Sequence, residues 1–206
     1  DAFSVSHRKQ TSITEFPKYL PSCIGRLFEK ELSSLKRLHL RNTLFILGGA
    51  KPEENLKLLK NKKILSCGYF CHLCLIAKNH KLGKQEIFLR KEIKNFPVVI
   101  KEIKRNKKNI QTPIDFAIEK NRKRKEISLE KLPINKLLLD IGEKTINNYN
   151  KEIKKAKTIF YKGPSGLYSD KRFIKGTREI LKAVANSSAF SVIAGGHSNE
   201  AIKQCS

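Results

Sequence analysis

The chain has 206 residues, of which 39% are hydrophobic, and this is enough for one ordinary domain with an appendage. Five cysteines are an odd number, and the apolar runs are far shorter than the about 20 residues that span a bilayer, so a secreted disulfide framework and a membrane protein are both disfavoured. The formal net charge of +24 favours an anionic partner, but the lysines are spread along the whole chain, which is typical of solvated surface. We expect a cytoplasmic protein.

The amino-terminal part is predicted to be irregular and then helical. The first 25 residues contain Pro17 and Pro21, which interrupt regular structure. Within 25–40 the apolar residues recur at helical spacing, and Asn42 is expected to end this helix. The chain starts at Asp1 and contains no methionine, so we expect its N-terminus to be processed, trimmed or incomplete.

From residue 43 onward, short apolar strands alternate with glycine turns and helices. The predicted strands are 44–47, 64–65, 114–118, 137–140, 158–161 and 190–193. The predicted helices are a stretch at 56–59, then 69–79, 98–103, 143–155 and 172–186, and a short last helix opened by Gly195 and Gly196. The highly charged segment 119–136 is predicted to be an exposed connection. This alternation predicts a three-layer α/β/α, Rossmann-like fold with a parallel sheet.

Three predicted strand ends carry glycines, namely 47–51, 161–166 and 194–198. In parallel α/β folds ligands bind at the carboxyl ends of the strands. Glycine lets backbone N–H groups approach a phosphate closely, and a helix N-terminus adds about half a positive charge. Lys51 would add a mobile point charge. Each motif alone is typical of a tight turn, but the three together favour a shared phosphate or nucleotide site. No P-loop pattern occurs.

The motifs of this chain resemble those of the phosphoglycerate kinase family. They occur in that family's order over essentially the whole chain: Asp-Ala-Phe at 1–3 with Ser-His-Arg at 6–8, Gly-Gly-Ala-Lys at 48–51, Pro-Ile-Asp-Phe at 113–116, Asp-Ile-Gly-Glu-Lys-Thr at 140–145, Lys-Gly-Pro-Ser-Gly at 162–166 and Ala-Gly-Gly-His-Ser at 194–198. The Ser-His-Arg segment and His197 resemble the archaeal branch.

The resemblance implies a domain organisation and a reaction. Residues 1–24 would be the tail of the N-terminal substrate domain, 25–42 the interdomain helix and 43–206 the nucleotide-binding α/β domain. The remainder of the family's substrate domain would precede Asp1, and a C-terminal segment would follow Ser206. The family transfers a phosphoryl group reversibly between ATP and 3-phosphoglycerate, with Mg²⁺. We therefore expect an incomplete, monomeric chain that is inactive alone, without membrane contact or a dedicated nucleic-acid partner.

The resemblance also implies roles for individual residues. Arg8, with His7 nearby, would contact the phosphoglycerate. The residues expected to bind ATP or ADP are Gly48, Gly49, Ala50, Lys51, Gly163, Pro164, Gly166, Ser169, Gly195, Gly196, His197 and Ser198. The backbone N–H groups of Gly195 and Gly196, at a helix N-terminus, would act on the phosphates in catalysis. The resemblance supplies no metal ligand from the protein, so Mg²⁺ would be bound mainly through the nucleotide phosphates.

Several positions depart from the family pattern, among them Ser66-Cys67-Gly68 in place of Thr-Gly-Gly, and they predict a divergent, weakened nucleotide site. Lys162 replaces the usual asparagine, and Ala194 replaces the first glycine of a Gly-Gly-Gly cap. Ser169 stands where an acidic residue contacts the ribose, and Asp170 could take over that contact. Asn55 stands where a second lysine is common, and His197 stands where aspartate is common.

Two alternative interpretations rest on other features. Cys67, Cys71 and Cys74 have the spacing that binds a four-iron, four-sulfur cluster, and His72 and His80 could ligate zinc. The favoured interpretation is that the three cysteines are small buried residues on one face of an apolar helix. The basic runs 104–108 and 120–125 could bind nucleic-acid backbones, but without an aromatic stacking platform they are more typical of solvated loops and helix faces.

Overall fold

The computed structural model describes residues 2–38, 42–60 and 63–205. The chain divides into two compact units, Asp1–His39 and Leu40–Ser206. Asp1 of the Asp-Ala-Phe motif and the predicted helix end at 39–40 lie outside the described residues. No helix in the described ranges combines the length and the apolar character needed to cross a bilayer.

The first unit consists of short helical segments. Helix α1, Thr11–Thr14, follows a 3₁₀ turn at Phe3–Val5, and helix α2 spans Arg26–Lys36. The helix predicted within 25–40 is thus present and begins one residue after Gly25. The ring of Phe3 packs edge-on against Phe28 with centroids 5.1 Å apart, although no residue of α2 is buried. This unit therefore has little core of its own.

The second unit contains eight strands and six of the described helices. The strands are β1 Thr43–Leu47, β2 Lys63–Ser66, β3 Ile110–Gln111, β4 Asp115–Lys120, β5 Lys123–Ser128, β6 Asp140–Ile141, β7 Thr158–Lys162 and β8 Phe190–Ala194. The helices are α3 Gly68–Ala77, α4 Lys84–Glu92, α5 Phe96–Asn106, α6 Glu143–Lys155, α7 Lys175–Ala185 and α8 Gly196–Cys205. A 3₁₀ helix, Pro52–Leu58, follows β1 where a helical stretch was expected at 56–59.

Five of these strands form one parallel sheet in the order β3-β2-β1-β7-β8. From β1 the chain builds the sheet toward one edge through β2 and β3, and later toward the other edge through β7 and β8. The order therefore reverses between β1 and β7, which is the topological switch point where ligands of open α/β sheets bind. The predicted α/β fold with a parallel sheet is confirmed.

Both faces of the parallel sheet are covered by helices. On β1, Phe45 and Leu47 point into a cluster with α3 and α5, whereas Leu44 and Ile46 point into a cluster with α6 and α7. Such strands, buried on both faces, have continuous apolar sequences rather than alternating ones. The two clusters are the boundaries between the three layers.

Helix α3 is apolar on nearly every side because it contacts three groups of neighbours. Cys74 belongs to the cluster with α5, Cys71 to a third cluster under the small sheet, and Cys67, just before the helix, to the cluster with α6. The three thiols nevertheless lie on one side of the helix, as expected, because Cys71 is close enough to both Cys67 and Cys74 for their charges to interact. Burial raises the pKa of Cys67 to about 12 and raises those of the other two thiols as well, so all three are neutral core residues.

The remaining strands form a separate antiparallel sheet in the order β5-β4-β6. The strands predicted at 114–118 and 137–140 thus lie outside the parallel sheet, and the second of them is displaced to Asp140–Ile141. The prediction of an exposed connection over 119–136 is wrong for its first part, because β5 pairs with β4 across a turn at Asn121 and Arg122. Helix α4 and strand β3 were not predicted.

The small sheet is joined to the layer of helices through two buried aspartates. The carboxylate of Asp115 accepts hydrogen bonds from the backbone N–H groups of Lys144 at 2.9 Å and Thr145 at 2.8 Å, in the first turn of α6. The carboxylate of Asp140 accepts one from the N–H of Gly176 at 2.8 Å, in the first turn of α7. Both aspartates complement the positive end of a helix.

Asp140 also forms an ion pair with Arg124 of β5, in which Nη1 lies 2.7 Å from Oδ2, and its side chain is completely buried. Burial raises the pKa of Asp140 to about 6, against the opposite effect of the Arg124 guanidinium and the N–H donors. Above that pKa the carboxylate is ionised and holds Arg124, the start of α7 and its own strand together.

We expect Asp140→Asn to lower the free energy of unfolding by about 2 kcal/mol, because it removes the buried carboxylate that accepts hydrogen bonds from Arg124 and from the N–H of Gly176, and leaves Arg124 paired with Glu126 alone. Urea unfolding near neutral pH measures this loss. Asp170→Asn is the matched control, since Asp170 pairs with Arg172 near the surface and its loss should shift the unfolding midpoint little. Similar shifts for the two variants would contradict the role given to Asp140.

Candidate functional site

The carboxyl ends of β1 and β7 approach each other backbone against backbone at the switch point. Past their last paired residues, the N–H of Gly48 donates to Lys162 O at 2.7 Å and the N–H of Gly49 donates to Pro164 O at 2.9 Å. A Cβ atom at Gly163 would lie 2.6 Å from Gly48 C, and the φ of Gly163 is +83°. Only glycine fits at this approach, which explains two of the three glycine motifs.

A cavity of about 290 Å³ lies against these strand ends and the start of α8, and we name it the glycine cavity. Its lining residues are Gly48, Gly49, Ala50, Lys51, Glu54, Lys162, Gly163, Gly195, Gly196, His197 and Ser198. At its α8 side, a Cβ atom at Gly196 would meet nothing within 4 Å. The first turn of α8 is therefore open to a ligand, and its free N–H groups make this wall suited to an anion.

A second cavity of about 150 Å³, which we name the aromatic cavity, adjoins the first, because Gly49, Ala50 and His197 line both. The residues that line only the aromatic cavity are Gly68, Tyr69, Cys71, His72, Phe116, Leu138, Leu139, Asp140, Ile141, Pro164, Ser165, Gly166, Leu167 and Tyr168. A mostly apolar pocket next to a polar one is the arrangement that takes a flat ring system with a charged tail.

The rings around the aromatic cavity pack against one another. The imidazole of His72 lies against Phe116 with centroids 5.5 Å apart and against Tyr69 with centroids 6.4 Å apart. Burial lowers the pKa of His72 to about 3, so the ring is neutral at physiological pH. Its Nδ1 is buried without a hydrogen-bond partner in the described parts of the chain.

The lining of the glycine cavity includes two lysines, Lys51 and Lys162, and one carboxylate, Glu54. Lys162 Nζ lies 2.7 Å from Glu54 Oε2. The pKa of Glu54 is lowered, chiefly by the hydrogen bond from Lys162 and further by the charges of Lys162, Lys51 and His197, while burial opposes the shift. Glu54 is thus ionised, and Lys162 is its ion-pair partner.

Most of the residues expected to bind nucleotide are brought together by this arrangement. The 48–51 segment, Gly163 and the 195–198 segment line the glycine cavity, and Pro164 and Gly166 line the aromatic cavity. Ser198 is also structural: its Oγ accepts a hydrogen bond from the N–H of Gly163 at 2.8 Å and donates one to Ala194 O at 2.7 Å.

Three expected residues are not part of these cavities. Ser169 is exposed and lines neither of them. His7 and Arg8 belong to the first unit, where both side chains are exposed. Asn55, one of the departures from the family pattern, is buried, and its Nδ2 donates to Gly48 O at 3.2 Å, so it supports the loop from behind.

Several lining residues were not identified from the sequence. Glu54 follows the Gly-Gly-Ala-Lys motif by only three residues, but a carboxylate is not expected in an anion site, so no sequence signal singled it out. Tyr69, Phe116 and Tyr168 lie in or next to recognised motifs and glycine turns, and their aromatic character was the available signal.

The described residues contain no group of three or more histidine, cysteine or acidic side chains placed to hold a metal ion. Cys71 and His72 line the aromatic cavity but are buried and neutral, and His80 is exposed. The structure therefore offers no support for the cluster or zinc interpretations.

We expect Gly163→Ala to lower the free energy of unfolding by about 2 kcal/mol or more, because alanine is strained at this positive φ and its Cβ would collide with Gly48. Gly196→Ala makes the same chemical change where the Cβ meets nothing, and it should change stability by less than about 0.5 kcal/mol. Urea unfolding of both variants measures the difference, and equal stabilities would show that the strand ends do not depend on Gly163.

A family model described as phosphoglycerate kinase matches residues 1–206. The phosphoglycerate kinase of Methanothermus fervidus is 39% identical over 211 residues, which cover 96% of this chain and 51% of the relative. That of Methanococcus maripaludis is 38% identical over 212 residues, with the same coverage of 96% and 51%.

The chain is also similar to solved structures of phosphoglycerate kinases. The crystal structure of phosphoglycerate kinase from Pyrococcus horikoshii OT3 superposes with a TM-score of 0.87 at 32% identity, covering 99% of this chain and 55% of that one. The Coxiella burnetii phosphoglycerate kinase gives 0.85 at 26% identity, covering 100% and 56%. The chain thus spans about half the length of the relatives it matches. Because the family model matches along the whole sequence, the chain belongs to the phosphoglycerate kinase family.

Proposed function

We propose that residues 43–206 form the nucleotide-binding domain of a phosphoglycerate kinase, which transfers a phosphoryl group reversibly between ATP and 3-phosphoglycerate. The observation that carries this proposal is the pair of adjoining cavities at the switch point of the parallel sheet. One is lined by rings and the other by glycines and lysines, and they share Gly49, Ala50 and His197. A nucleotide has the same division into a flat base and a charged chain.

In this proposal the base occupies the aromatic cavity between Pro164 and Gly166 on one side and Tyr69 on another. The phosphates occupy the glycine cavity, against Lys51 and the N–H groups of Gly195 and Gly196. These N–H groups at the start of α8 would stabilise the charge that moves between the phosphates during transfer. Mg²⁺ would be held mainly by the phosphates and would neutralise part of their charge.

The acceptor side of the reaction involves the first unit. We propose that 1–24 is the tail of the substrate domain, that 25–42 is the interdomain helix, and that Arg8 and His7 contact 3-phosphoglycerate. Phosphoryl transfer depends on positioning and on excluding water, which two closing domains provide. The family membership supports this division, and a cytoplasmic, monomeric enzyme is the form we expect.

We expect Mg·ADP to bind the chain in a calorimetric titration at moderate salt, and Gly196→Asp to weaken that binding by about tenfold or more. The new carboxylate would stand at the helix start where the phosphates lie, and its charge would oppose theirs. It has room there, because a Cβ atom at Gly196 meets nothing within 4 Å. The variant should therefore remain folded.

Asn147→Asp is the matched control for this titration, since it adds the same charge on the exposed side of α6 and lines neither cavity. Its affinity for Mg·ADP should equal that of the unchanged chain. Failure to bind ADP, combined with tight and salt-sensitive binding of single-stranded RNA, would contradict the proposal and indicate that the net charge carries the function.

A polypeptide of these 206 residues alone is expected to bind nucleotide without forming 1,3-bisphosphoglycerate, because the relatives use about twice this length. An enzyme-coupled assay with ATP and 3-phosphoglycerate measures this, with an intact phosphoglycerate kinase as the positive control. Steady ATP-dependent formation of product by the short polypeptide would show that the acceptor site is already complete in it.

A further inference from the structure

The glycine cavity contains an ion pair whose two members come from different parts of the fold. Lys162 is the last residue of β7, and Glu54 lies in the 3₁₀ helix that follows β1. Their side chains are 22% and 51% exposed, and Nζ and Oε2 are 2.7 Å apart. Both residues line the cavity, so the pair lies inside a space that is otherwise suited to an anion.

The position of Lys162 places its charge beside the start of α8. A Cβ atom at Gly195 would lie 4.0 Å from Lys162 Cγ, so the stem of the lysine runs along the residue just before that helix. Its ammonium and the N–H groups of α8 therefore act on the same volume. A lysine with a flexible stem can turn from one anion to another within such a space.

The two lysines of the cavity differ in their partners. Lys162 is paired with Glu54, whereas Lys51 has no carboxylate partner among the residues that the structure describes. Among the described lining residues Glu54 is the only carboxylate, and its pKa is lowered by Lys162 first and by Lys51 and His197 as well. An anionic ligand that entered the cavity would compete with Glu54 for the same cations.

We propose that Lys162 is a phosphate-binding residue and that Glu54 is its replaceable counter-ion, which a polyphosphate displaces on entering the glycine cavity. The inference deepens the proposed function and rests on it for the identity of the ligand. A partly exposed ion pair contributes little net stability, so its exchange costs little. A polyphosphate offers more charge and more acceptor oxygens than one carboxylate, so the exchange favours the ligand.

The test is a double-mutant cycle in the full chain, with inorganic tripolyphosphate as the probe, at low ionic strength and with a chelator to remove divalent cations. The proteins are the unchanged chain, Glu54→Gln, Lys162→Gln and the double variant. If the ligand must break the ion pair, Glu54→Gln removes both the repulsion by the carboxylate and the competition for Lys162. In the Lys162→Gln background it removes the repulsion alone.

We expect Glu54→Gln to tighten tripolyphosphate binding on the order of tenfold when Lys162 is present and on the order of threefold when it is absent. Lys162→Gln should weaken binding whether or not Glu54 has been replaced, and more strongly once it has been. Glu152→Gln is the control for net charge: Glu152 pairs with Lys63 at the amino end of β2, which is the end opposite the cavity, and its loss should change affinity much less than Glu54→Gln does.

Equal effects of Glu54→Gln in the two backgrounds, or no tripolyphosphate binding by any of the proteins, would overturn the inference. Thermal unfolding of each variant checks that the comparison is between folded proteins. ADP is titrated in parallel to separate the two proposals. If Glu54 and Lys162 are coupled in tripolyphosphate binding but ADP does not bind, the result contradicts only the proposed nucleotide function. If ADP binds but the two residues are not coupled, the result contradicts only the role of Glu54 as a replaceable counter-ion.

Discussion

The site depends on one constraint, the backbone contact between the ends of β1 and β7. The two strands continue past their last paired residues as glycines, and Gly48 and Gly163 meet without side chains between them. Two backbone hydrogen bonds and this close approach hold the 48–51 segment and the 162–166 segment together at the switch point. The N–H of Gly163 is in turn bonded to Ser198, which places the start of α8 against the same junction. The walls of the glycine cavity are thus fixed by contacts of the main chain.

The sequence predicted four of the five strands of the parallel sheet, because the signals of those strands are local and strong. Buried strands such as Thr43–Leu47 are almost continuously apolar, and glycines follow them directly, so both the strand and its functional end can be identified. The hairpin of β4 and β5 was missed because β5 is mostly charged and its turn, at Asn121 and Arg122, contains no glycine. The pairing that makes β5 a strand comes from its neighbour rather than from its own residues.

The site was predictable only where a family motif and the geometry coincide. Ser169 was selected by position in a motif, yet it is exposed and lines neither cavity. Glu54 could not be selected, because its importance follows from the side chain of Lys162, which is 108 residues distant in sequence. Asn55 and Lys162, which both depart from the family pattern, are both hydrogen-bonded to the same loop, at Gly48, in the structure. Asn55 is buried behind the loop, and the second lysine of the cavity comes from the end of β7 instead.

The small antiparallel sheet also contributes residues to the aromatic cavity. Phe116 of β4 and the stretch that leads into β6 form one side of the aromatic cavity, while Pro164 and Gly166 form another. Any molecule bound there would touch both of these walls at once and would act as a non-covalent cross-link between the small sheet and the loop after β7. Part of the binding free energy would then stabilise the packing of the hairpin of β4 and β5 against the rest of the domain. The ligand would thereby suppress local opening of this hairpin, whose own core is small. A ligand bound in the aromatic cavity would therefore stabilise the cavity wall that surrounds it.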